Sequence, residues 1–495
     1  MTASPWLSCF SESFVDLERG WTVADIVSVG IDIGTSTTQV VFSRLTMENA
    51  AGYFAVPRVS IVDKQVIYKG QVHTTPLKSP VLIDGAGVRE IVAREYGRAG
   101  FRPADVETGA VIITGESARK ENAAAVLSEL SGFAGDFVVS TAGPDLESII
   151  AGKGSGAWRC SLEEDCVAVN LDIGGGTTNI VAFDCGETVS TGCLDVGGRL
   201  IRLGEDLTVR SISPAAAAVA ADLELELAVG GRTSLPTLRK ITDRMADLLA
   251  RALGLKPEDE LLRRVRTPGS SWFVPPRRVR RVCFSGGVAD CIGRQGGEDV
   301  PYGDIGVLLG RSIAANPDLA ALPQLEAAET IRATVVGAGT YTTTISGSTI
   351  DYVAELLPMK NLPVLKLTAG EERRCYEGES SPLAEKIAWF RAQSEAERLV
   401  LALEGLADPS YSQLKSAAAA IADAWEASMP PDAPVLVLVE RDMAKALGFA
   451  LRGRTARPVL AVDGIRAGQD DYVDFGRPLM DGMVIPAVVK TLLFG

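Results

Sequence analysis

Histidine is almost absent from this sequence, since His73 is the only one among 495 residues. A Ser-His-Asp triad elsewhere in the chain is therefore excluded, and so are metal sites built from several histidines. We interpret His73 itself as an ordinary surface or turn residue.

The sequence also lacks the signals of membrane, secreted and nucleic-acid-binding proteins. No apolar run approaches the length of about 20 residues that a bilayer span needs. The first 22 residues have no basic start and no continuous apolar core, and they carry Glu12, Asp16 and Glu18, which argues against a signal peptide. The net charge of −14 argues against a nucleic-acid partner. We expect a cytoplasmic protein without membrane or nucleic-acid partners.

Cysteine is present, but in no pattern that indicates cross-linking. None of the eight cysteines forms a Cys-x-x-Cys pair, and several lie in apolar runs, as Cys283 does between Val282 and Phe284. Such placement favours reduced, buried thiols over disulfides, a zinc site or an iron–sulfur site.

A repeated segment organises the chain. Residues 29–42 and 169–181 align with Asp32 matched to Asp172, and both read Asp-Ile-Gly followed by a Thr-Thr pair and a second apolar run. In each copy an apolar β-branched run, a glycine turn and another apolar run predict a hairpin. Because the two copies are separated by the length of a domain, they indicate a duplicated fold rather than a solenoid.

The residues of each predicted hairpin suit phosphate. Turn glycines allow close approach of a ligand, and successive N–H groups form an anion-binding concavity. An aspartate beside phosphate needs a cation between them, and Mg²⁺ prefers one or two carboxylates together with phosphate oxygens. Other phosphate loops fit less well: 152–156 lacks the hydroxyl directly after Lys153, and 335–340 lacks the third glycine of a dinucleotide fingerprint.

A third element completes the pattern. Residues 281–290 read as a strand that leads into the Gly286-Gly287 turn, where no side chain blocks a base or ribose. Residues 302–313 then predict a small-residue turn that enters a closely packed helix.

The order of these three elements resembles the actin-like ATPase superfamily, in which two ribonuclease-H-like lobes close on ATP. The resemblance implies that Asp32 and Asp172 face Mg²⁺, directly or through water. It also implies phosphate contacts from both hairpins and an adenosine border at the glycine pair. The implied phosphate and adenosine residues are Gly34, Thr35, Ser36, Thr37, Thr38, Gly174, Gly175, Gly176, Thr177, Thr178, Gly286 and Gly287.

The family usually places a water-orienting residue on the helix that links the lobes. The candidates here are Thr114 and Glu116, which follow an apolar run where a helix is predicted to begin. An N-cap role for this polar cluster is an equal alternative. Asp195, close to the second hairpin in sequence, is a further candidate.

We predict an α/β fold in four parts: an N-terminal extension (1–25), actin-like lobe I (26–160), actin-like lobe II with a helical subdomain and the adenosine motif (161–325), and an additional C-terminal α/β region (326–495). In the last part, helices are expected near 382–405 and 411–428, strands at 434–439 and 459–462, and a strand or helix at 484–493.

Across almost its whole length the chain looks like the ethanolamine ammonia-lyase reactivating factor family. The most specific segments are 337–350 and 474–494. The resemblance implies an ATP-dependent chaperone with ATPase activity, whose client is ethanolamine ammonia-lyase and which releases damaged cobalamin so that intact adenosylcobalamin rebinds. It further implies a cytoplasmic location with microcompartment association, and it leaves a homo-oligomer open.

Three other functions share parts of the pattern. An actin-like filament or scaffold ATPase would use the same loops, and so would a small-molecule kinase. An activator of 2-hydroxyacyl dehydratases would share the Gly-Gly-Val-Ala turn but needs cysteines that bridge subunits through an iron–sulfur cluster. No cobalamin ligand of the Asp-x-His type exists, because Gln71 stands two residues before His73.

Overall fold

The computed structural model gives the course of most of the chain. The residues it describes are 15–16, 21–49, 59–79, 82–114, 117, 121–130, 139–141, 143–276, 279–294, 296–341, 344–345, 350–394, 396–469, 471–478, 482 and 484–491.

The first lobe is a mixed sheet whose main path runs β4-β3-β2-β8-β9, antiparallel up to β2 and parallel from β2 onward. Its apolar face packs against two helices. The elements are β1 (Val15–Asp16), β2 (Trp21–Ile33), β3 (Thr37–Asn49), β4 (Val59–Lys69), β5 (His73–Thr74), β6 (Leu77–Ser79), β7 (Leu82–Ile83), α1 (Gly85–Ala99), β8 (Thr108–Ile113), α2 (Ala123–Leu130) and β9 (Val139–Thr141).

The second lobe repeats this topology, with strand order β12-β11-β10-β15-β16. In both lobes the first three strands form an antiparallel meander, and two parallel strands follow, which is the ribonuclease-H-like arrangement. The elements are α3 (Pro144–Gly154), α4 (Ala157–Glu163), β10 (Val167–Ile173), β11 (Thr178–Asp184), β12 (Glu187–Leu194), β13 (Ile201–Leu203), β14 (Val209–Ile212), α5 (Pro214–Asp222), α6 (Leu235–Ala252), α7 (Glu260–Arg264), β15 (Arg281–Ser285), α8 (Gly306–Ala315), α9 (Pro317–Ala320) and β16 (Gln324–Leu325).

Helix α10 (Ala333–Tyr341) returns from the second lobe and packs against α3 and the first sheet. Glycines permit this contact: a Cβ at Gly337 would overlap the carbonyl of Ile150 on α3, and one at Gly30 would overlap the carbonyl of Val335. The Ser28 hydroxyl donates to the Gly339 carbonyl at 2.5 Å. The glycines of 335–340 therefore serve close packing between the lobes, and no dinucleotide turn forms there.

The C-terminal region is a separate layer built on an eight-stranded sheet of order β17-β24-β23-β19-β20-β21-β22-β18. Strands β19 to β22 are parallel and adjacent in sequence order, so right-handed connections place α11 to α14 on one face. The elements are β17 (Thr344–Ile345), β18 (Ile350–Asp351), β19 (Met359–Lys366), α11 (Ala369–Glu377), α12 (Ser381–Ser394), β20 (Val400–Leu403), α13 (Tyr411–Ser428), β21 (Val435–Val439), α14 (Ala444–Arg452), β22 (Val459–Asp463), β23 (Asp471–Phe475) and β24 (Pro486–Thr491).

Two sequence expectations for this region need refinement. The stretch 382–405 is not one helix, because α12 ends at Ser394 and β20 begins at Val400, where four consecutive buried apolar residues join the parallel sheet. The stretch 484–493 contains a strand, since β24 pairs along β23. Among the described residues, no helix is both long and apolar enough to cross a bilayer.

The contact between α10 and β2 gives a stability test. Gly30→Ala is expected to destabilise the protein by about 1–3 kcal/mol, because the added methyl meets backbone that cannot rotate away. Gly97→Ala is the matched control: it lies within α1 with nothing close to its Cβ position and should stabilise by about 0.5–1 kcal/mol. Urea unfolding of both variants measures the difference, and equal effects would contradict the packing described here.

Candidate nucleotide-binding site

A cavity of about 360 Å³ lies between the lobes, at the ends of β2 and β10. Most of the residues that the sequence singled out line it. These are Asp32, Gly34, Thr35, Ser36, Thr37, Thr114, Asp172, Gly174, Gly175, Gly176, Thr177, Gly286 and Gly287.

The two hairpin turns are built alike and meet across this cavity. Gly34 N donates to Thr37 O at 2.8 Å, and Gly174 N donates to Thr177 O at 2.9 Å. The tips touch, since a Cβ at Gly175 would lie 2.7 Å from Ser36 Oγ. That hydroxyl is buried without a hydrogen-bond partner. Buried polar groups are normally paired, so an unpartnered hydroxyl at a glycine-lined tip fits a polar ligand such as phosphate.

Asp32 is buried at the end of the first hairpin's leading strand. Its Oδ1 accepts a hydrogen bond of 2.9 Å from Thr114 Oγ1, and Thr114 follows the parallel neighbour β8. Burial raises the pKa of Asp32 to about 7, and the charge of Asp172 adds to the increase, while the Thr114 hydroxyl opposes it.

Asp172 holds the equivalent position in the second lobe. Its Oδ1 accepts from Ser285 Oγ at 2.6 Å and its Oδ2 from Thr334 Oγ1 at 3.4 Å. Burial raises the pKa of Asp172 to about 6, against the lowering effect of these two hydroxyls. The two carboxyls thus share a water-poor cleft in which a divalent cation would stabilise both ionised forms.

Two residues of the predicted phosphate set do not reach the cavity. The hydroxyl of Thr38 lies 3.1 Å from that of Thr75, and Thr178 Oγ1 donates to Val196 O at 2.7 Å. Both are fully buried and absent from the cavity lining. Each lies at the start of its hairpin's second strand, as the second residue of β3 and the first of β11, and each holds its hairpin onto a neighbouring loop.

The candidates for the water-orienting residue differ in where the structure places them. Thr114 lines the cavity but donates to Asp32, whereas Glu116 lies outside the described residues. Asp195 does not line the cavity; its Oδ1 accepts from Thr267 Oγ1 at 2.6 Å. Asp195 therefore anchors the 267–270 turn.

Sequence reasoning did not single out Glu147, Arg199 or Asp304, which are among the further polar residues that line the cavity. Glu147 is buried on α3, the helix between the lobes. Arg199 lies beside the second hairpin, where its backbone N donates to Gly175 O at 2.7 Å and its Nε lies 3.2 Å from Asp304 Oδ2. Asp304 in turn accepts from Gly306 N at the start of α8. The Gly-Gly-Arg segment that contains Arg199 could be recognised in the sequence. The position of the Arg199 guanidinium could not, because it depends on the contact with Asp304.

The glycine pair at the far end of the cavity has two separate roles. Gly286 has φ of +84°, and a Cβ there would overlap the Ile173 carbonyl, so only glycine fits the turn. A Cβ built at Gly287 would have the Ile331 side chain as its nearest neighbour, at 3.9 Å. Gly287 therefore leaves an open, flat border that a base or ribose can approach.

Two ribonuclease-H-like lobes, paired aspartate hairpins and a glycine-bordered cleft between them define the class of actin-like ATPases. The protein-family model described as ethanolamine utilisation protein EutA matches residues 24–495. The chain belongs to this EutA family.

Curated relatives agree over nearly full length. The chain is 35% identical over 487 residues to "Ethanolamine ammonia-lyase reactivase EutA" of Escherichia coli, covering 95% of this chain and 98% of the relative. It is 35% identical over 484 residues to the protein of the same name from Salmonella typhimurium, with the same coverage.

Solved structures with some similarity include the Ppx/GppA enzyme of Aquifex aeolicus, with 14% identity, a TM-score of 0.34, and coverage of 54% of this chain and 70% of that one. Another is the ethanolamine utilization protein EutJ of Carboxydothermus hydrogenoformans, with 15% identity, a TM-score of 0.31, and coverage of 63% and 89%.

The raised pKa values give a pH prediction for the nucleotide-free protein without divalent cations. Above the unfolded value of 3.8, the folded state holds protons on Asp32 and Asp172 that the unfolded state has released. Stability therefore falls as pH rises toward about 7, by up to about 1.4 kcal/mol per pH unit for each group. Asp32→Asn should be more stable than the parent at pH 7.5, with an advantage that shrinks toward pH 4.

Urea unfolding at a series of pH values measures this advantage. The exposed Asp408→Asn is the control and should follow the parent throughout. An Asp32→Asn advantage that stays constant with pH would contradict the assignment of a buried, protonated carboxyl.

Proposed function

We propose that the chain is an ATP-dependent reactivating chaperone for ethanolamine ammonia-lyase, which releases damaged cobalamin so that intact adenosylcobalamin can rebind. The observation that carries the proposal is the near full-length identity of 35% to two curated reactivases. The cleft supports it independently, because a chaperone driven by ATP needs a nucleotide site.

The residues of the cleft fit Mg²⁺ and ATP. Asp32 and Asp172 would hold the cation directly or through water, and the hairpin amides with the unpaired Ser36 hydroxyl would hold phosphate oxygens. Bound Mg²⁺ would neutralise phosphate charge and polarise the terminal phosphate. Arg199, held by Asp304, adds a fixed positive charge at the second hairpin.

Glu147 is the residue that we assign to orienting the attacking water. It lies on α3 between the lobes, it is buried, and it lines the same cavity as both aspartates. Thr114 donates to Asp32 and is better placed to orient that carboxylate. A buried carboxylate near the phosphate hairpins can accept a proton from water, which is the chemistry of a general base.

The bound nucleotide would affect the client by changing the relative position of the two lobes. The first lobe contacts the second through α3 and α10, and Thr334 at the start of α10 donates to Asp172 in the site. Because these helices meet backbone to backbone at Gly337, they can transmit a shift with little slack. A change in lobe closure would then change the affinity for the lyase.

The cytoplasmic, microcompartment-associated location that the sequence resemblance implied belongs to the same proposal. The filament or scaffold alternative shares the fold, but the named relatives favour a reactivase. Whether the protein is a homo-oligomer, which the resemblance left open, is measured by sedimentation of the purified protein.

The function is tested by recovery of lyase whose site is blocked with an inactive cobalamin. Adding this protein with Mg²⁺, ATP and fresh adenosylcobalamin should restore activity, and omission of ATP should abolish recovery. Asp172→Ala should fail as well, because the cation loses one of its carboxylates. No recovery from a parent protein that still binds ATP would overturn the client assignment.

Glu147→Gln tests the hydrolytic step. The variant should bind ATP within a few-fold of the parent, because the hairpins are unchanged, and should hydrolyse it about a hundredfold more slowly, since glutamine cannot accept a proton. The exposed Glu385→Gln is the matched control and should retain full turnover. Phosphate release under single-turnover conditions measures the step, and parent-like rates in Glu147→Gln would exclude this role.

A further inference from the structure

A second cluster of chemically reactive side chains lies on lobe II, away from the nucleotide cleft. It joins Cys160 on α4, Glu164 just beyond the helix and Cys166 just before β10. One sulfur from each cysteine and one carboxylate oxygen all lie within 4.8 Å of one another. None of the three lines the nucleotide cavity.

We propose that Cys160, Glu164 and Cys166 form a binding site for a thiophilic divalent cation of the zinc class. Zinc binds thiolate sulfur at about 2.3 Å in tetrahedral geometry, which places two ligating sulfurs about 3.8 Å apart. The donor atoms of this cluster lie within 4.8 Å of one another, a limit that is about 1 Å above that sulfur–sulfur spacing. Two thiolates and a carboxylate are also the donor types that zinc accepts and that Mg²⁺ does not prefer.

The backbone holds the three donors in place without the ion. Asp165 has φ of +45°, a left-handed conformation that turns the chain from α4 back toward β10. The Ser161 hydroxyl donates to Cys166 O at 2.7 Å and accepts from Gly186 N at 3.1 Å, which ties the turn to the hairpin between β11 and β12. A turn fixed in this way reduces the ordering that binding requires.

The surroundings of the cluster are acidic and open to solvent, and both properties suit a cation site. Cys166 and Glu164 border an open depression of about 640 Å³ whose other acidic lining residues are Asp165 and Asp184. This depression offers a route from solvent, and a water molecule can complete a fourth position. Arg281 Nη2 lies 3.0 Å from Glu164 Oε2, which holds this carboxylate in its ionised form beside the two thiols.

Binding would proceed with loss of two protons. Each thiol releases its proton to solvent as its sulfur bonds to the cation, and a divalent ion with two thiolates and one carboxylate leaves a net charge of −1 beside Arg281. Burial, together with smaller contributions from Glu164 and Cys166, raises the pKa of the Cys160 thiol to about 11. Affinity should therefore increase with pH over the range from 6 to 8.

The site would act as a structural clasp on the second lobe. β10 leads from Cys166 to Asp172 at its opposite end, so the ion would fix α4 to the strand that carries a nucleotide-site carboxylate. The absence of Cys-x-x-Cys in the sequence argued against such a site. The structure shows a different arrangement of donors, because one helical turn and a left-handed residue bring Cys160 and Cys166 together across Cys-x3-Glu-x-Cys.

The test uses the full chain, reduced and freed of metal with a chelator, and titrated with Co²⁺ in excess Mg²⁺. The expected result is one Co²⁺ per chain with a thiolate-to-cobalt charge-transfer band, displaced by one equivalent of Zn²⁺. Cys160→Ser and Cys166→Ser should lose the band, and Glu164→Gln should bind about tenfold more weakly. Cys375→Ser, a buried thiol in the C-terminal region, is the matched control and should keep the band.

A second measurement on the unmodified protein covers variants that fail to fold. Zn²⁺ should raise the thermal unfolding midpoint and protect two thiols from alkylation, and this protection should weaken at lower pH. A parent protein that shows neither a charge-transfer band nor zinc protection overturns the proposal. So does a Cys160–Cys166 disulfide that forms readily in air while zinc has no effect, because the pair would then be a redox couple.

Discussion

Two buried carboxylates that face one cleft are the constraint on which the rest of the structure depends. Asp32 and Asp172 each lie at the end of a central strand of their lobe, and each is withdrawn from water. Among the described residues, the side chains that donate to them are hydroxyls. Burial without a cation disfavours their charged forms, as the raised pKa values of both indicate. The pair therefore suits the state that we propose, in which a cation lies between the two carboxylates.

The duplicated fold brings these groups together. In both lobes a central strand delivers the aspartate, an antiparallel partner returns through a glycine turn, and a parallel neighbour supplies the hydroxyl environment behind it. Helices α3 and α10 fix the distance between the lobes through contacts that only glycine permits. Because Thr334 on α10 donates to Asp172, the packing between the lobes and the electrostatics of the site are directly connected.

Local sequence was enough to predict the hairpins, because each is a continuous segment whose glycines and hydroxyls have local causes. The same reasoning could not find Glu147 or Arg199, since their positions depend on a helix crossing and on Asp304 from a distant loop. It assigned Thr178 to phosphate because hydroxyls in a turn look alike, whereas strand pairing directs this one inward to Val196. The Gly337 stretch resembled a ligand loop because close helix packing and close ligand approach both select glycine.

The central claim is that the carboxylates of the cleft receive a cation together with the nucleotide, and proton release measures this most directly. Calorimetric titration of Mg²⁺-ATP near pH 6, in two buffers of different ionisation enthalpy, gives the number of protons released on binding. Because burial raises the pKa of Asp32 to about 7 and that of Asp172 to about 6, we predict a release of at most about 1.4 protons, which falls in Asp32→Asn. Binding with no proton release, and with the same affinity when Mg²⁺ is chelated, would contradict the account.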